Sequence, residues 1–339
     1  MSQIKKRKKQ HIDTVQNHLV EPSDSSFDQV KLPYKALPEI NFDNISLASQ
    51  ICGFEVAAPI LVASMSGGEQ YGKIINTRVA EACEVENIPF GLGSMRIVLE
   101  KPESVTTFAV KKLSPSVPMF ANLGLVQLNY GVGYDEIMRV IDLVGADGIY
   151  FHINHLQEAV QPEGNTNYAG ILKKFEKIIP RLKIPFVVKE VGHGIDYESA
   201  KKLRNIGVEW IDVAGTGGTS WAWIEGYRRL KENETMNERN LGYIFKEVGI
   251  STVDSIRELK KIDGLHIIAS GGIRNGLHIA KAIGMGAQVG SLAKPFLHAA
   301  LDSTEAVISL IQDLKYELKV AMFCAGIKNI EELNNLDIK

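Results

Sequence analysis

The chain has 339 residues, 45% of them hydrophobic and 23% charged, so it can bury a large globular core. Its formal net charge of −2 argues against a general nucleic-acid binder but leaves room for a local basic pocket. No apolar run approaches the roughly 18 residues that a membrane helix needs, and the basic start MSQIKKRKKQ lacks the apolar core of a signal peptide. We therefore expect a cytoplasmic protein with no nucleic-acid or membrane partner.

The cysteines are scattered along the chain and show no metal-binding spacing. Cys52, Cys83 and Cys324 are odd in number and form no C-x-x-C pair. We interpret them as small buried hydrophobic residues rather than as a disulfide framework or a zinc site.

The first 45 residues are polar and contain several prolines. They predict an N-terminal arm or short helices over residues 1–45, outside the core of a domain that spans residues 46–339. The arm carries a dense cation cluster, Lys5 to Lys9, followed by His11, and such a cluster is usually a solvated tail. Because the arm has little core to pack against, we also expect that it can reach the pocket of a neighbouring subunit.

Beyond the arm, eight apolar runs rich in β-branched residues alternate with stretches of helical period. The runs are Pro59–Gly68, Ile88–Arg96, Val117–Gly124, Asp147–Asn154, Ile184–Gly192, Trp210–Gly218, Leu265–Ile273 and Gln288–Phe296. Nearly continuous apolar strands are typical of a parallel sheet that is buried on both faces.

Eight such β-α units in this length predict a (β/α)8 TIM barrel, with a doubly wound open sheet as the alternative. Residues 221–249 lie between the sixth and seventh runs and are too long for one helix. They predict an extra helix or a mobile segment near the barrel mouth.

In a barrel the active site lies at the carboxyl ends of the strands. The seventh and eighth runs end in Ser270–Arg274 and Ser291–Lys294, and the sixth ends in the Gly-rich Gly215–Ser220. Glycine lets a main chain approach a phosphate, and helix N-termini bind anions. These ends predict a phosphate site, although the glycines alone would also suit tight turns.

The ends of the first three runs supply side chains that can hydrogen-bond a flat heterocycle. They are Ser64, Ser66, Ser94 and Asn122. Lys189 lies inside an apolar strand, where a cation needs an electron-rich partner. The N1–C2=O edge of a reduced flavin is one such partner, and a neighbouring carboxylate, Glu190 or Asp212, is the alternative.

The stretch FHINHLQEAVQPEGN, residues 151–165, ends the fourth strand with many polar groups. His152 and Asn154 alternate along the strand and therefore point the same way. Glu158 beside Gln157 can hold a Mg²⁺ ion that keeps its waters, although a carboxylate at a helix start is the simpler interpretation. His155 is consistent with a solvated loop residue, and Arg96 offers a planar clamp for an anion.

Together these motifs resemble type 2 isopentenyl-diphosphate isomerase, a flavin-dependent family of isoprenoid synthesis. The matching pieces are RKKQH, SMSGG, GSMR, ANLG, HINHLQEAVQPEGN, VVKEVGHG, GTGGTSW and ASGGIRNG, in the expected order along nearly the whole chain. The resemblance implies a (β/α)8 fold, bound FMN, Mg²⁺, reduction by NADPH, and interconversion of isopentenyl and dimethylallyl diphosphate. We also expect a homo-oligomer, either a tetramer or an octamer.

The resemblance also assigns roles to residues of this chain. Those at the substrate would be Arg7, Lys8, Ser94, Met95, Arg96, Gln157, Trp221 and Glu225. Those that bind FMN would be Ser64, Met65, Ser66, Ser94, Asn122, Lys189, Thr219, Gly271, Gly272, Arg274, Ala293 and Lys294. Glu158 would hold the metal, and the catalytic group would comprise Gln157, Lys189, His152 and Asn154.

The expected chemistry is a proton shift across an allyl unit, with the reduced flavin as the acid–base group. Gln157 would orient the substrate, because an amide has no useful pKa near neutrality. The sequence departs from the family pattern at Ser66, where Thr is common, at His155, where Pro is common, and at Ser291, where Gly is expected.

Two rival functions lack an expected site residue in this sequence, and a third is left open. A 2-hydroxy-acid oxidase needs a catalytic His after the seventh strand, where this chain has Ile273 and Arg274. A nucleotide dehydrogenase needs a nucleophilic Cys on a Gly-rich loop, and none of the three cysteines lies in one. A flavin-binding protein without enzymatic activity is the third alternative.

Overall fold

The computed structural model describes residues 3–22, 25–65, 70–230, 234–336 and 338. Its strands are β1 (Ser49–Ile51), β2 (Phe54–Val56), β3 (Ile60–Val62), β4 (Phe90–Gly91), β5 (Met119–Gly124), β6 (Gly148–His152), β7 (Phe186–Lys189), β8 (Trp210–Asp212), β9 (His266–Ser270) and β10 (Val289–Leu292). Strands β3 to β10 close into a parallel barrel in the order β10-β3-β4-β5-β6-β7-β8-β9. The predicted TIM barrel is therefore confirmed, and all eight predicted runs contain a barrel strand.

One helix precedes the strands, and further helices follow most barrel strands. They are α1 (Gln3–Asn17), α2 (Gln70–Glu86), α3 (Arg96–Glu100), α4 (Tyr134–Val144), α5 (His155–Val160), α6 (Ile171–Ile178), α7 (Tyr197–Asn205), α8 (Trp221–Arg228), α9 (Leu241–Ile244), α10 (Thr252–Leu259), α11 (Gly276–Gly284), α12 (Lys294–Asp302), α13 (Thr304–Ala325) and α14 (Ile330–Asn334). Short 3-10 turns occupy Ser26–Gln29, Phe42–Asn44, Pro102–Thr107, Lys111–Leu113, Leu125–Asn129 and Ile179–Arg181. The extra helix predicted after the sixth run is present as α8 and α9.

Several helices begin at a residue whose side chain accepts a hydrogen bond from the first turn. Asp196, Ser251, Asn275 and Ser303 start α7, α10, α11 and α13 in this way. Such caps satisfy main-chain N–H groups that have no partner inside the helix and are worth about 1 kcal/mol each. They explain why these four helices begin at the positions observed.

The barrel interior changes from apolar to polar over two residues along five of its strands. The lower layer comprises Leu61, Phe120, Tyr150, Val187, Ile268 and Val289, and the β1–β2 hairpin closes it from below with Ile51, Cys52 and Val56. Because inward side chains recur every second residue, the next layer on five of those strands comprises Asn122, His152, Lys189, Ser270 and Ser291. The fold thus sets a polar floor directly on an apolar core.

The N-terminal segment contributes to the core, contrary to the prediction from its composition. Ile12 and Val15 on α1 are buried, and Val20, Phe27 and Val30 are also buried after it. Helix α1 lies over the barrel mouth of its own chain, where Lys8 Nζ donates to Ser94 O over 2.9 Å. The sequence does not show this packing because the apolar residues are few and because the helices they pack against, α8, α10 and α11, lie far away in the chain. The boundary at residues 45 and 46 stays a prediction.

The described part of the chain contains no helix that is both long and apolar enough to span a membrane. Cys52 and Cys83 are buried, Cys324 is half-buried, and all three are free thiols. Burial raises the pKa of Cys52 to about 12, which keeps the thiol protonated. The interpretation of these cysteines as small hydrophobic residues therefore holds for Cys52 and Cys83.

Candidate active site

A cavity of about 230 Å³ opens at the barrel mouth, beneath α1. The sequence-predicted residues that line it are Arg7, Lys8, Ser64, Met65, Ser94, Arg96, Asn122, His152, Asn154, Gln157, Glu158, Lys189, Thr219, Trp221, Gly271, Gly272, Arg274, Ala293 and Lys294. They come from the ends of all eight barrel strands and from α1. The structure therefore brings into one cavity residues that are up to 287 positions apart (294 − 7) in the chain.

Lys189 is held on the cavity floor by an ion pair. Its Nζ lies 2.9 Å from Oδ2 of Asp212, which is fully buried, and 3.3 Å from Oγ of Ser270. Ser270 also donates to the other oxygen of Asp212. The carboxylate partner that the sequence left open is thus Asp212, while the Lys189 side chain still lines the cavity. A cation fixed in this way can face a second electron-rich group without being buried alone.

His152 lies beside Lys189 and is neutral at physiological pH. Burial, together with the charges of the neighbouring cations Lys189, Arg7 and Lys8, lowers its pKa to about 4. Its Nδ1 lies 2.7 Å from Oδ1 of Asn122 and donates to that oxygen in the matching tautomer. Nε2 is then an acceptor, so His152 can take a hydrogen bond from a ligand N–H or O–H group.

Helix α5 carries the polar stretch after β6 and directs three amide and carboxylate side chains together. Asn154 Nδ2 donates to Oε1 of Gln157 over 3.1 Å and to Oε1 of Glu158 over 2.9 Å. All three side chains are buried. Buried polar groups that satisfy one another hold fixed orientations, which suits a site that positions a ligand.

The QPEGN loop folds back under Glu158. Its second carboxylate oxygen accepts from the main-chain N–H of Asn165, and Arg96 Nη1 donates to Oδ1 of Asn165. A Cβ at Gly164 would lie 1.8 Å from the carbonyl oxygen of Glu158, so only glycine fits there. The loop therefore fixes Glu158 and Arg96 relative to each other.

Glu225 on α8 is fully buried and joins α1 to the site. One carboxylate oxygen lies 2.9 Å from His11 Nε2 and 3.1 Å from Gln157 Nε2, and the other pairs with Arg228 Nη1. Burial raises the pKa of Glu225, but the bond to His11 and the charge of Arg228 outweigh it and lower the pKa overall. Glu225 is thus an ionised anchor for Gln157 and α1.

The loops after β8 and β9 form the other end of the cavity. Gly271 and Gly272 have φ of +95° and +75°, a region that favours glycine. A Cβ at Gly218 would lie 2.7 Å from the main-chain N of Gly272, so the two loops pack main chain against main chain. Arg274 and Lys294 line this end, and both pair with Glu21.

A second buried carboxyl, Glu190, lies beneath the β7 loop. One oxygen accepts from the main-chain N–H groups of Val191, Gly192 and His193 at 2.6–2.7 Å. The other oxygen has no partner within the described residues. Burial raises the pKa of Glu190 to about 7, although the three N–H groups act to lower it.

Two predicted residues do not reach the cavity wall, and one lies outside the described residues. The Met95 side chain is fully buried in the core, and its main-chain N donates to Asn122 O over 2.8 Å. Glu225 lies behind Gln157 rather than in the lining. Ser66 is the residue outside the described part. His155 is exposed at the start of α5, as the sequence suggested.

Sequence reasoning missed residues whose role depends on tertiary contacts. They are Glu21, Gln127, Gln161, Asn165 and Arg228. Gln161 and Asn165 lie in the polar stretch 151–165, so its density of amides was the available signal. Glu21 and Arg228 carry no local signal, because each is an ordinary charged residue until the fold supplies its partner.

The residues present fit a flavin phosphate and a lone-carboxylate metal site. Ser64 Oγ and Ser291 Oγ are buried, line the cavity and have no partner among the described residues. Such orphaned hydroxyls fit a polar ligand. The described residues hold no cluster of three or more His, Cys, Asp or Glu. Among the described lining residues Glu158 is the one carboxylate, so a metal held there would need further ligands from water and phosphate, as Mg²⁺ accepts.

Comparisons with known proteins agree with this geometry. The FMN-dependent dehydrogenase family profile matches residues 155–339. The chain is 40% identical over 337 residues to isopentenyl-diphosphate delta-isomerase from Nostoc sp. (strain PCC 7120), covering 98% of this chain and 95% of the relative. It is 41% identical to the protein of that name from Rickettsia akari (strain Hartford), covering 98% and 97%.

Among solved structures, the chain is similar to mandelate oxidase with 3,3-difluoro-2-hydroxy-3-phenylpropionic acid. The TM-score is 0.64 at 17% identity, with 98% of each chain covered. A flavocytochrome B2 mutant gives a TM-score of 0.67 at 16% identity, covering 97% of this chain and 82% of that one. These likenesses show a shared barrel fold, while the full-length sequence identity shows the family. The chain belongs to the isopentenyl-diphosphate delta-isomerase family, built on the barrel of the FMN-dependent dehydrogenases.

Proposed function

We propose that this chain interconverts isopentenyl diphosphate and dimethylallyl diphosphate, using reduced FMN and Mg²⁺. The observation that carries the proposal is the 40% identity over nearly the full length to relatives named for this reaction. The cavity supports it with cations at two ends, one for a cofactor phosphate and one for a charged substrate.

The cations of α1 and α3 suit the substrate diphosphate. Arg7 and Lys8 line the cavity from α1, and Arg96 faces it from the start of α3. Arg96 is already held by Glu100 and Asn165, so its guanidinium is positioned before a ligand arrives. Glu158 would add a Mg²⁺ ion that binds the same phosphates. Fixing one end of a small substrate in this way aligns its alkene with the reacting groups.

The reaction adds a proton to one terminal carbon of the alkene and removes another proton from the carbon on the far side. Protonation of an alkene builds positive charge, which needs an electron-rich neighbour in a dry site. When bound, a reduced flavin would supply that electron density and the proton-transfer groups. Lys189, paired with Asp212, would favour the anionic form at the cavity floor.

Gln157 and its partners would orient the substrate without titrating. Its amide is fixed by Asn154 on one side and Glu225 on the other. His152 is neutral and offers an acceptor at Nε2. Trp221 lines the cavity and packs edge-on against His11, with ring centroids 4.9 Å apart, so α1 and α8 would cover the allyl group and exclude water.

The proposal includes NADPH as the reductant, a homo-oligomer and a cytoplasmic location. The test is an anaerobic assay of the FMN-loaded protein with dithionite or NADPH, Mg²⁺ and isopentenyl diphosphate. We expect dimethylallyl diphosphate to form, and chelation of Mg²⁺ to stop it. A yellow protein that converts nothing would instead be a flavin-binding protein without this activity. Oxidation of a 2-hydroxy acid such as mandelate would favour the oxidase chemistry of the structural neighbours.

A further inference from the structure

Glu21 bridges the two cations at the phosphate end of the cavity. Its Oε1 lies 2.8 Å from Lys294 Nζ, and its Oε2 pairs with Arg274 Nη2. The Glu21 side chain is only 16% exposed, and those of Arg274 and Lys294 are 33% and 18% exposed. Each carboxylate oxygen thus serves one cation, as an oxygen of a phosphate group would.

The fold holds Glu21 in this position from both sides. Before it, Val20 is fully buried, and its carbonyl accepts from Ser220 N over 2.8 Å. After it, Ser25 Oγ donates to Gly272 O over 2.9 Å, and Phe27 O accepts from Lys281 Nζ over 2.9 Å. The main chain is therefore anchored to the barrel at Val20 before Glu21 and at Ser25 and Phe27 after it.

The charges of Glu21, Arg274 and Lys294 determine the electrostatic environment of a phosphate that enters this end of the cavity. Without Glu21, Arg274 and Lys294 would present two cations that repel each other and attract a phosphate dianion. With Glu21, the three side chains carry a net charge of +1, and both cations already have a partner. A phosphate that binds them must compete with the carboxylate in a poorly solvated place, where such contacts are strong.

We propose that Glu21 is an internal counter-anion of the phosphate site and limits how tightly the site holds FMN. This inference rests on the proposed function, because it takes FMN as the cofactor. The carboxylate relieves the repulsion between the two cations, and a bound phosphate displaces it from at least one of them. Glu21 thereby weakens the binding of the FMN phosphate, so that FMN can exchange. It leaves the binding of the flavin ring unchanged.

The test is a titration of flavin-free protein by quenching of flavin fluorescence, with FMN and with riboflavin, which lacks the phosphate. Glu21→Gln should bind FMN roughly five- to tenfold more tightly than the unchanged chain, the size of one partly buried charge contact. Riboflavin affinity should not change. Glu39→Gln is the matched control, because Glu39 is an exposed carboxylate of the same N-terminal segment outside the cavity.

A double-mutant cycle with Lys294→Met adds a second measurement. The loss of FMN affinity caused by Lys294→Met should be larger in the Glu21→Gln background, where no carboxylate offsets the lysine. If Glu21→Gln does not fold, Glu21→Asp is the substitute. Its shorter side chain cannot bridge both cations, and FMN should bind more tightly than to the unchanged chain.

Unchanged or weaker FMN binding by Glu21→Gln, or an equal change for riboflavin, would overturn the proposal and make Glu21 a structural residue that positions the cations. That result is distinct from failure of the proposed function. An unchanged chain that binds no FMN would fail at the first titration, and a chain that binds FMN without converting substrate would fail only in the turnover assay.

Discussion

The two ends of the barrel are built from the same strands but serve different purposes. At the lower end, Phe120, Tyr150 and Val187 pack with the β1–β2 hairpin in an apolar cluster. Two residues further along the same strands, Asn122, His152 and Lys189 face the cavity. The contrast shows that the stabilising core and the cavity lining are only two residues apart on the same strands. Substitutions in the lower layer should therefore reduce stability, and substitutions in the upper layer should reduce activity.

The largest expected effect is that of Lys189→Met on the polar floor. The substitution leaves the buried Asp212 carboxyl without its cationic partner, so the free energy of unfolding should fall by about 3–5 kcal/mol. Turnover should also fall by about 10²–10³-fold, because the proposed function places this cation beside the reacting groups. Chemical denaturation and single-turnover assays measure the two effects.

The double variant Lys189→Met with Asp212→Asn separates the effect on stability from the effect on turnover. It removes both charges and should restore most of the stability but none of the turnover. Recovery of turnover in the double variant would mean that Lys189 only balances Asp212 and has no role toward the ligand.

At the lower end, Phe120→Ala should reduce stability without touching the site. Phe120 is fully buried and packs on Tyr150 with ring centroids 5.4 Å apart. Loss of the ring should lower the free energy of unfolding by about 3–5 kcal/mol through lost contacts and a cavity. The KM for isopentenyl diphosphate should stay within about twofold below the unfolding transition. A large change in KM would show that the two layers are coupled.

Glu158→Gln tests the lone-carboxylate metal site at the mouth. The amide can still accept from Asn154 or Asn165, so the thermal midpoint should change little, whereas turnover should fall about 100-fold through misplaced substrate. Excess Mg²⁺ should recover part of the loss. Glu103→Gln is the control, since Glu103 is an exposed carboxylate outside the cavity. Equal losses in both variants would remove Glu158 from metal binding.

The smallest expected effect is a pH-dependent one at Glu190. Its pKa is about 7 in the folded chain against 4.5 for the free side chain, so the unfolded chain loses the proton first as pH rises. The contribution of Glu190 to stability is therefore greatest below pH 4.5 and declines as pH passes through 7. Gln does not titrate. The free energy of unfolding of Glu190→Gln, relative to that of the unchanged chain, should therefore rise by about 2 kcal/mol as the pH is raised from 5 to 8. A pH-independent difference would show that the three N–H groups keep the carboxyl ionised.

The sequence predicted the barrel because each strand is a nearly continuous apolar run and eight such runs alternate with helical stretches. It also predicted most of the cavity lining, because residues at strand ends share one location in any closed parallel barrel. It did not predict that Met95 points into the core, since a helix start can direct a side chain either way. Val20 and Glu21 were missed because their partners lie 200 or more residues away, where no local pattern reports them.

The ion pair of Lys189 illustrates the same limit. The sequence offered Glu190 and Asp212 as candidate partners, and adjacent strands in register decided for Asp212. Glu190 points the other way and takes the N–H groups of its own loop. Alternation along a strand predicts that the side chains of consecutive residues point to opposite faces. Only the register between two strands determines which residue of the next strand a side chain contacts.

One measurement tests the central claim most directly, namely that the mouth of this barrel isomerises an allylic diphosphate with a reduced flavin. The FMN-loaded protein is incubated anaerobically in D₂O with Mg²⁺ and isopentenyl diphosphate, and the product is followed by NMR. We predict dimethylallyl diphosphate that carries deuterium, with the flavin reduced and with none formed when it is oxidised. Conversion that proceeds equally without flavin, or no conversion by a fully reduced and folded protein, would contradict the account.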